Sequence, residues 1–443
     1  MKFIRSLYFT NRFYLALAGL AGLFVLAFFL PLLLVVAKVA LSVLVLLTTL
    51  DLLLLYRNRQ GMFASRSMQE KLSNGSDNDI YIYLENKYTF TVHTQVIDEL
   101  PFQFQKRDTQ FEADIPKGRT QIIQYTLRPT KRGSYQFGAI NVYVMSALQL
   151  IKRRYRFAQD QEVPVYPSFI QMRHYELMAI SNRLQEFGVK KVRRIGHSSE
   201  FEQIRPYVAG DDQRTINWKA SARKAELMVN SYQDEKSQQV YCLIDKGRVM
   251  QMPFNGLSLL DYAINASLVI SNIALKKQDK AGIITFSNKI SHMLPALRKS
   301  DQIRRVMELL YNQRTKYQET DYERLYATVR SKIKQRSLLL LFTNFETLNG
   351  AQRQLPYLRA LAKHHLLVVI FFENTELKSL LHQPAANTEE VYTKAIAQKF
   401  DYDKRQIVKL LQQHGIHTIL TPPEQLTVNT INKYLELKSR GLI

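Results

Sequence analysis

The chain has 443 residues, more than one ordinary domain needs, so two or three folded units are expected. Hydrophobic residues make up 46%, and 24 Tyr and 23 Phe exclude general disorder, while a single cysteine, Cys242, excludes an intramolecular disulfide. The net charge of +23 points to an anionic neighbour, either lipid headgroups or nucleic acid.

Phe13 to Tyr56 is almost continuously apolar, long enough for two spanning helices. The pattern predicts helix one over Phe13–Leu30, a turn near Pro31, and helix two over roughly Val35–Leu55. The run is too long for the apolar core of a signal peptide. Lys2, Arg5 and Arg12 precede it, Arg57, Arg59 and Arg66 follow it, and the turn carries only Lys38. The excess of positive charge places both ends of this hairpin on the cytoplasmic side of a membrane, with the rest of the chain cytoplasmic. Asp51, near the end of helix two, reads as an interfacial residue rather than a proton relay.

From Ile80 to Val165 the pattern changes to short alternating strands, Ile80–Leu84, Tyr88–Gln95, Thr120–Leu127 and Tyr135–Val144, separated by turn residues. An antiparallel, all-β sandwich-like domain over 57–165 is expected, with no catalytic spacing in it. Val163-Pro164-Val165-Tyr166-Pro167 marks its boundary. Lys190-Lys191-Val192-Arg193-Arg194 is the one dense basic cluster, readable as a solvated loop, a membrane-surface or acidic-partner contact, or a nucleic-acid site. No nucleic-acid-binding signature accompanies it, so no nucleic-acid partner is expected.

Residues 240–443 alternate between apolar strands and helices. Strands are predicted at Val240–Asp245, Ala281–Phe286, Ser337–Thr343, His365–Phe372 and Thr418–Leu420. Helices are predicted at Leu257–Leu275, Lys299–Gln313, Asp321–Ile333, Ala351–Lys363, Glu389–Lys399, Tyr402–Gln413 and Pro423–Leu437. Such a series gives an α/β domain whose mostly parallel sheet is covered by helices, and Cys242 reads as a small buried hydrophobe within it. Ligands on such sheets bind beyond the strand C-termini, at Asp245–Val249, Ser287–Lys289, Thr343–Glu346 and Glu373. The sequence contains no dinucleotide glycine fingerprint, Walker A motif, His-Glu-x-x-His or Gly-x-Ser-x-Gly, so no enzymatic activity and no cofactor are expected.

The segment between, 166–239, is the most distinctive. Glu200-Phe201, Arg205-Pro206-Tyr207, Gly210-Asp211, Arg214-Thr215-Ile216-Asn217-Trp218 and Ser221-Ala222-Arg223 follow in order. This series resembles the signature of the bacterial "domain of unknown function 58" family, and the resemblance extends over the apolar hairpin, the β-rich stretch and the α/β domain. It implies a membrane-anchored protein with a von Willebrand A-like domain. It also implies as partners a MoxR-type AAA+ ATPase and other von Willebrand A-like proteins, in a chaperone-like or envelope-stress role.

Physically, Trp218 is the only tryptophan and offers a large face to bury, while Arg205, Arg214 and Arg223 are three guanidinium forks near Asp211 in the sequence, whose carboxylate can accept backbone or arginine hydrogen bonds. A structural clasp, a partner-binding surface, and an Asp211-Asp212 catalytic pair are the three readings of the segment.

A von Willebrand A-like domain commonly holds Mg²⁺ through Asp-x-Ser-x-Ser, a threonine and a later aspartate. Here Asp245 remains, Gly247 and Val249 replace the serines, Thr320 stands for the threonine, and Asn344 replaces the aspartate. The resemblance therefore implies a degenerate site that holds no metal. The alternative function is a metal-dependent hydrolase using Asp211 and Asp212 or Asp245.

Overall fold

The computed structural model describes residues 4–106, 109–180, 199–209, 211, 213–234, 237–315, 317–382, 384 and 387–442. The chain divides into two units, Met1–Val165 and Tyr166–Ile443.

In the first unit a short strand β1 (Leu7–Phe9) leads into helix α1 (Asn11–Phe29), and Pro31 opens α2 (Leu32–Arg57). Thr10 caps α1 by accepting the Phe13 N–H at 3.3 Å. Proline suits the start of α2 because it has no N–H to lose there. Within α1 the only buried side chain is Ala27, and within α2 only Ala37, Asp51 and Leu55 are buried. Both helices are long and apolar enough to cross a membrane.

Asp51 has partners within the protein. It is fully buried, accepting the Leu150 and Ile151 N–H groups at 3.0 Å each and the Ser146 hydroxyl. Thr10 donates to the Gln149 carbonyl at 2.6 Å, so both helices are tied to the same turn, 146–151. Arg153 then covers the end of α2, donating to the Leu55 carbonyl and to that of Asn58 at 2.7 Å. Its guanidinium lies 4.5 Å from the Tyr56 ring centroid and 4.5 Å from that of Tyr155.

Ten further strands follow: β2 (Met62–Ser67), β3 (Leu72–Ser73), β4 (Asn78–Asn86), β5 (Val92–Asp98), β6 (Gln110–Ile115), β7 (Thr120–Leu127), β8 (Gly133–Phe137), β9 (Ile140–Met145), β10 (Ile151–Phe157) and β11 (Gln161–Tyr166). They form sheets of order β1-β10-β9-β5-β6, β3-β11-β8 and β2-β4-β7. Alternate residues Ile80, Ile82 and Leu84 of β4, and Val92 and Val96 of β5, face one shared apolar core.

Two strand expectations need correction. The strand expected at Tyr88–Gln95 begins at Val92, because Tyr88 turns inward to give its hydroxyl to the Leu55 carbonyl at 2.9 Å. The strand expected over Tyr135–Val144 is two strands, β8 and β9, in different sheets. Gly138 makes the break: a Cβ there would lie 2.6 Å from the Glu99 carboxylate, and its N–H donates to the Glu99 carbonyl at 2.8 Å.

The second unit opens with α3 (Phe169–Ile180), followed by an antiparallel pair, β12 (Ser199–Pro206) and β13 (Met228–Asp234), with α4 (Trp218–Lys224) between them. The remainder is β14 (Gln239–Asp245), β15 (Pro253–Phe254), β16 (Leu257–Ser258), α5 (Leu259–Lys276), β17 (Lys280–Phe286), β18 (Ile290–Leu297), α6 (Gln302–Tyr311), α7 (Tyr322–Lys332), β19 (Leu338–Phe342), α8 (Leu348–His364), β20 (Leu366–Phe372), α9 (Thr375–His382), α10 (Thr388–Gln413), β21 (His417–Thr421) and α11 (Leu426–Ser439).

These strands form a mixed sheet of order β18-β17-β14-β19-β20-β21, parallel except for the edge strand β18. Both faces are apolar, which is why the strands read as continuous hydrophobic runs. Cys242, Ile244, Leu340 and Ile370 pack on one face with α5 and α11; Leu243, Leu341, Val369 and Phe371 pack on the other with α7, α8 and α10. Helix α5 carries a reciprocal cap between Ser258 and Asp261. Burial pushes the Cys242 thiol up to about 12, so it packs as an inert hydrophobe. α10 is one continuous helix where two were expected.

Candidate functional site

From β14 the chain crosses to β17 on one side, and β19 lies on the other. The strand order therefore reverses between β14 and β19, and the crevice beyond their C-terminal ends is where such sheets bind ligands. Asp245 closes β14 and Thr343 follows β19, so both sit at this point.

The Asp245 carboxylate is completely buried and occupied from within. One oxygen accepts the Thr320 hydroxyl at 2.6 Å and the Gly247 N–H at 2.7 Å; the other accepts the Thr343 hydroxyl at 2.7 Å and faces the Tyr322 hydroxyl at 3.5 Å. The Tyr322 and Thr343 hydroxyls are also 2.6 Å apart. Burial pushes the Asp245 carboxyl up, and its hydrogen bonds, that from Thr320 the largest, oppose this.

Gly247 is needed for this closure. A Cβ at that position would stand 2.1 Å from the Thr320 hydroxyl oxygen, so a side chain there and the Thr320–Asp245 bond exclude one another. Val249 and Asn344 line the same cleft, of about 230 Å³, but the Asn344 amide turns to the Val249 carbonyl, 3.5 Å away. Lys246 points to Gln313 at 3.0 Å, and Arg248 pairs with Glu346 at 3.7 Å.

The donor set fits a divalent cation poorly. Of positions 245, 247, 249, 320 and 344 only Asp245 carries a carboxylate, and it is saturated by its own neighbours, while 247 and 249 offer no side-chain oxygen; Glu319 and Glu346 also line the cleft, Glu346 paired with Arg248. Thr320→Val leaves a buried carboxylate one donor short and is expected to destabilise the protein by about 1–3 kcal/mol, with Thr320→Ser retaining most of the stability, read by denaturant unfolding.

The sequence singled out Asp245, Gly247 and Thr320, and these three meet. It missed Tyr322 as a donor, and Thr343 stood out only as a strand-end residue.

The signature residues form a second structure. Arg205, in β12, grips Asp211 with two bonds of 2.8 and 2.6 Å, and the Val208 N–H donates to the same carboxylate at 2.9 Å. The Arg205 guanidinium first, and the Val208 N–H second, hold the Asp211 carboxyl below its usual value. The Tyr207 N–H bonds the Leu227 carbonyl at 2.8 Å. Asn217 caps α4 through the Ala220 N–H at 3.0 Å, and the Ser221 hydroxyl receives the Met228 N–H at 2.9 Å, fastening α4 to β13.

Trp218 is not buried by this arrangement: it is 69% exposed. A seven-residue helix fastened through Asn217 and Ser221 turns its first residue outward, and among the described residues the two-stranded hairpin has no second layer over it. Arg223 is exposed in the last turn of α4 and Arg214 lies in the turn before it. Gly210, Asp212 and the basic cluster 190–194 lie outside the described residues, as do the side chains of Glu200 and Phe201.

The molecule so described is a two-unit protein with an apolar helix pair in the first unit and a mixed parallel sheet in the second. The family model described as "Protein of unknown function DUF58" matches residues 203–393, which supports the resemblance carried by the signature segment. The "Uncharacterized protein YeaD" of Bacillus subtilis is 32% identical over 130 residues, covering 29% of this chain. The chain spans about a third (32%) of the length of that curated relative.

Two solved structures are similar in part. A PapD-like domain of human CEP192 is 14% identical with a TM-score of 0.19, covering 25% of this chain and 87% of its own. Proximal thread matrix protein 1 from the mussel byssus is 10% identical with a TM-score of 0.26, covering 46% and 48%. Neither likeness carries an argument, and the fold stands on the topology above.

Proposed function

We propose that the chain is a membrane-anchored protein-interaction module without catalytic chemistry of its own, which docks a partner on the signature hairpin. The carrying observation is the exposed apolar end of that hairpin. Trp218 is 69%, Val208 61% and Leu227 48% exposed, on a turn that the Arg205–Asp211 grip holds rigid. Large exposed apolar groups on a fixed frame are what binding hot spots are made of.

Under this reading the α/β unit is von Willebrand A-like with a degenerate metal site, and the β-rich part of the first unit is sandwich-like. The α1–α2 pair crosses the inner membrane with both soluble parts cytoplasmic, in keeping with the basic flanks. The family resemblance supplies the partner class, a MoxR-type AAA+ ATPase together with other von Willebrand A-like proteins, in a chaperone-like or envelope-stress role. The hydrolase alternative has less support, since Asp245 is saturated and Asp211 is committed to Arg205.

Trp218→Ala is expected to leave the melting temperature nearly unchanged and to lower recovery of an AAA+ ATPase from native membranes by about 30-fold, the scale of one hot spot. Recovery would be compared with and without ATP, each captured protein being identified. An ATPase recovered equally well by the variant, or no ATPase recovered by the parent chain, overturns the proposal.

A further inference from the structure

We propose that a cavity in the second unit, beside the strand ends of β19 and β20 and sharing Asn344 and Glu346 with the Asp245 cleft, binds a small molecule with an apolar body and a carboxylate head, and that Lys404 of α10 takes the carboxylate.

The cavity measures about 290 Å³, near the lower end of the pockets that hold small organic ligands. Met252, Phe254, Leu259, Phe372, Leu377 and Phe400 give it apolar walls. Its polar end is the pair Lys404 and Asn344. The Lys404 ammonium donates to the Asn344 side-chain oxygen at 2.5 Å and lies 5.6 Å from the Phe371 ring centroid. Asn344 presents its oxygen to Lys404 because its amide nitrogen faces the Val249 carbonyl.

Three carboxylates also line the cavity, and each has its own cation. Glu373 pairs with Lys378 at 2.6 Å, Asp401 with Arg405 at 2.7 Å, and Glu346 with Arg248 at 3.7 Å. Lys404 is different: among the described residues no carboxylate lies within ion-pair distance of it. An ammonium has three donors, and Asn344 uses one. A partly buried cation without an anion is costly, and loss of hydration, opposed by Glu346, pulls the Lys404 amine down to about 7. A ligand carboxylate supplies both the missing charge and the missing acceptor, while its apolar body fills the walls.

The sign of the pH effect follows. Above about pH 7 the empty site is largely neutral, and a carboxylate that favours the charged amine raises its pKa. Binding at pH 8 therefore takes up a proton, and affinity falls as pH rises.

The test is calorimetric titration of the full chain in lipid nanodiscs with 3-phenylpropanoate, with 3-phenylpropan-1-ol as the neutral control and empty nanodiscs for lipid partitioning. Expected are saturable binding, proton uptake approaching one per ligand at pH 8 across buffers of different ionisation enthalpy, and at least about tenfold weaker binding of the alcohol. Lys404→Met, which keeps the apolar stem, is expected to lose at least about tenfold in affinity for the acid and all of the proton uptake. Equal binding of acid and alcohol, binding without proton uptake, undiminished affinity in Lys404→Met, or no saturable binding overturns the inference. Proton uptake by the parent chain decides it even if Lys404→Met fails to fold.

Discussion

Arg66→Met is expected to destabilise the first unit by about 3–5 kcal/mol, because it strands a buried carboxylate. The Arg66 and Asp98 side chains are 1% and 0% exposed and joined to each other, with a second bond from Arg66 Nε to Asp98 at 3.0 Å. Arg66 also donates to the Gly138 carbonyl at 2.9 Å, at the point where β8 gives way to β9. Tyr125 donates its hydroxyl to the same carboxylate, and burial first, then Asp98, pushes that hydroxyl's pKa far up. One guanidinium thus links β2, β5 and the sheet switch, and its loss leaves Asp98 charged, with Tyr125 its one remaining side-chain partner among the described residues. The loss is read as a Tm lowered by about 10 °C or more, with faster amide exchange at β5 and at Gly138–Asn141. The triple variant Arg66→Met, Asp98→Leu, Tyr125→Phe removes the two charges and the hydroxyl together and is expected to recover most of the stability. A single variant within about 1 kcal/mol of the parent would show that Asp98 finds water or another partner, and would remove the linking role.

The sequence made visible what is periodic. The run of four leucines at Leu338–Leu341 reads as a strand buried on both faces, and Leu339 and Leu341 do pack on the opposite face from Leu338 and Leu340. The Pro31 break between two apolar helices was equally legible, because proline at the start of a helix is a local rule. The family signature also stood out by its residues, and the family match over 203–393 supports it.

What stayed hidden depends on contacts between distant positions. Gly138 divides one apparent strand into two because Glu99 stands against it, and nothing within Tyr135–Val144 announces that. α10 appeared as two helices because Phe400 to Asp403 interrupts the apolar stripe, yet Ala397, Ile407 and Leu411 bury one continuous face. Trp218 looked like a core residue by type, but seven helical residues and a hairpin cannot enclose it. At the strand ends the residue types implied a weakened cation site; the Thr320 hydroxyl turning into the space that Gly247 leaves was not legible. Nor was Lys404, which is 60 residues from Asn344 in sequence.

Asp51→Leu is the variant expected to detach the apolar helix pair from the turn that holds it. Leucine matches the surrounding helix and improves its apolar character, so a span judged by composition alone would gain. The structure argues the reverse. Asp51 is the acceptor for two backbone N–H groups, at Leu150 and Ile151, and for the Ser146 hydroxyl. Ile151 is fully buried and opens β10, the strand whose Arg153 closes the end of α2. Removing the carboxylate orphans these donors, at about 1–3 kcal/mol for each that water cannot reach. Asp51→Asn keeps one acceptor oxygen but turns an NH₂ group toward the same donors, so it is expected to lie between the parent and leucine variants. Hydrogen exchange on the full chain in nanodiscs measures this directly. Leu150 and Ile151 amides are expected to exchange at least about tenfold faster in Asp51→Leu, while β14 and β19 amides in the second unit are unchanged. Unaltered exchange at 150–151 would mean that the Thr10 bonds to Gln149 and Leu150 hold the turn alone, and Asp51 would then be a buried acid without a structural task.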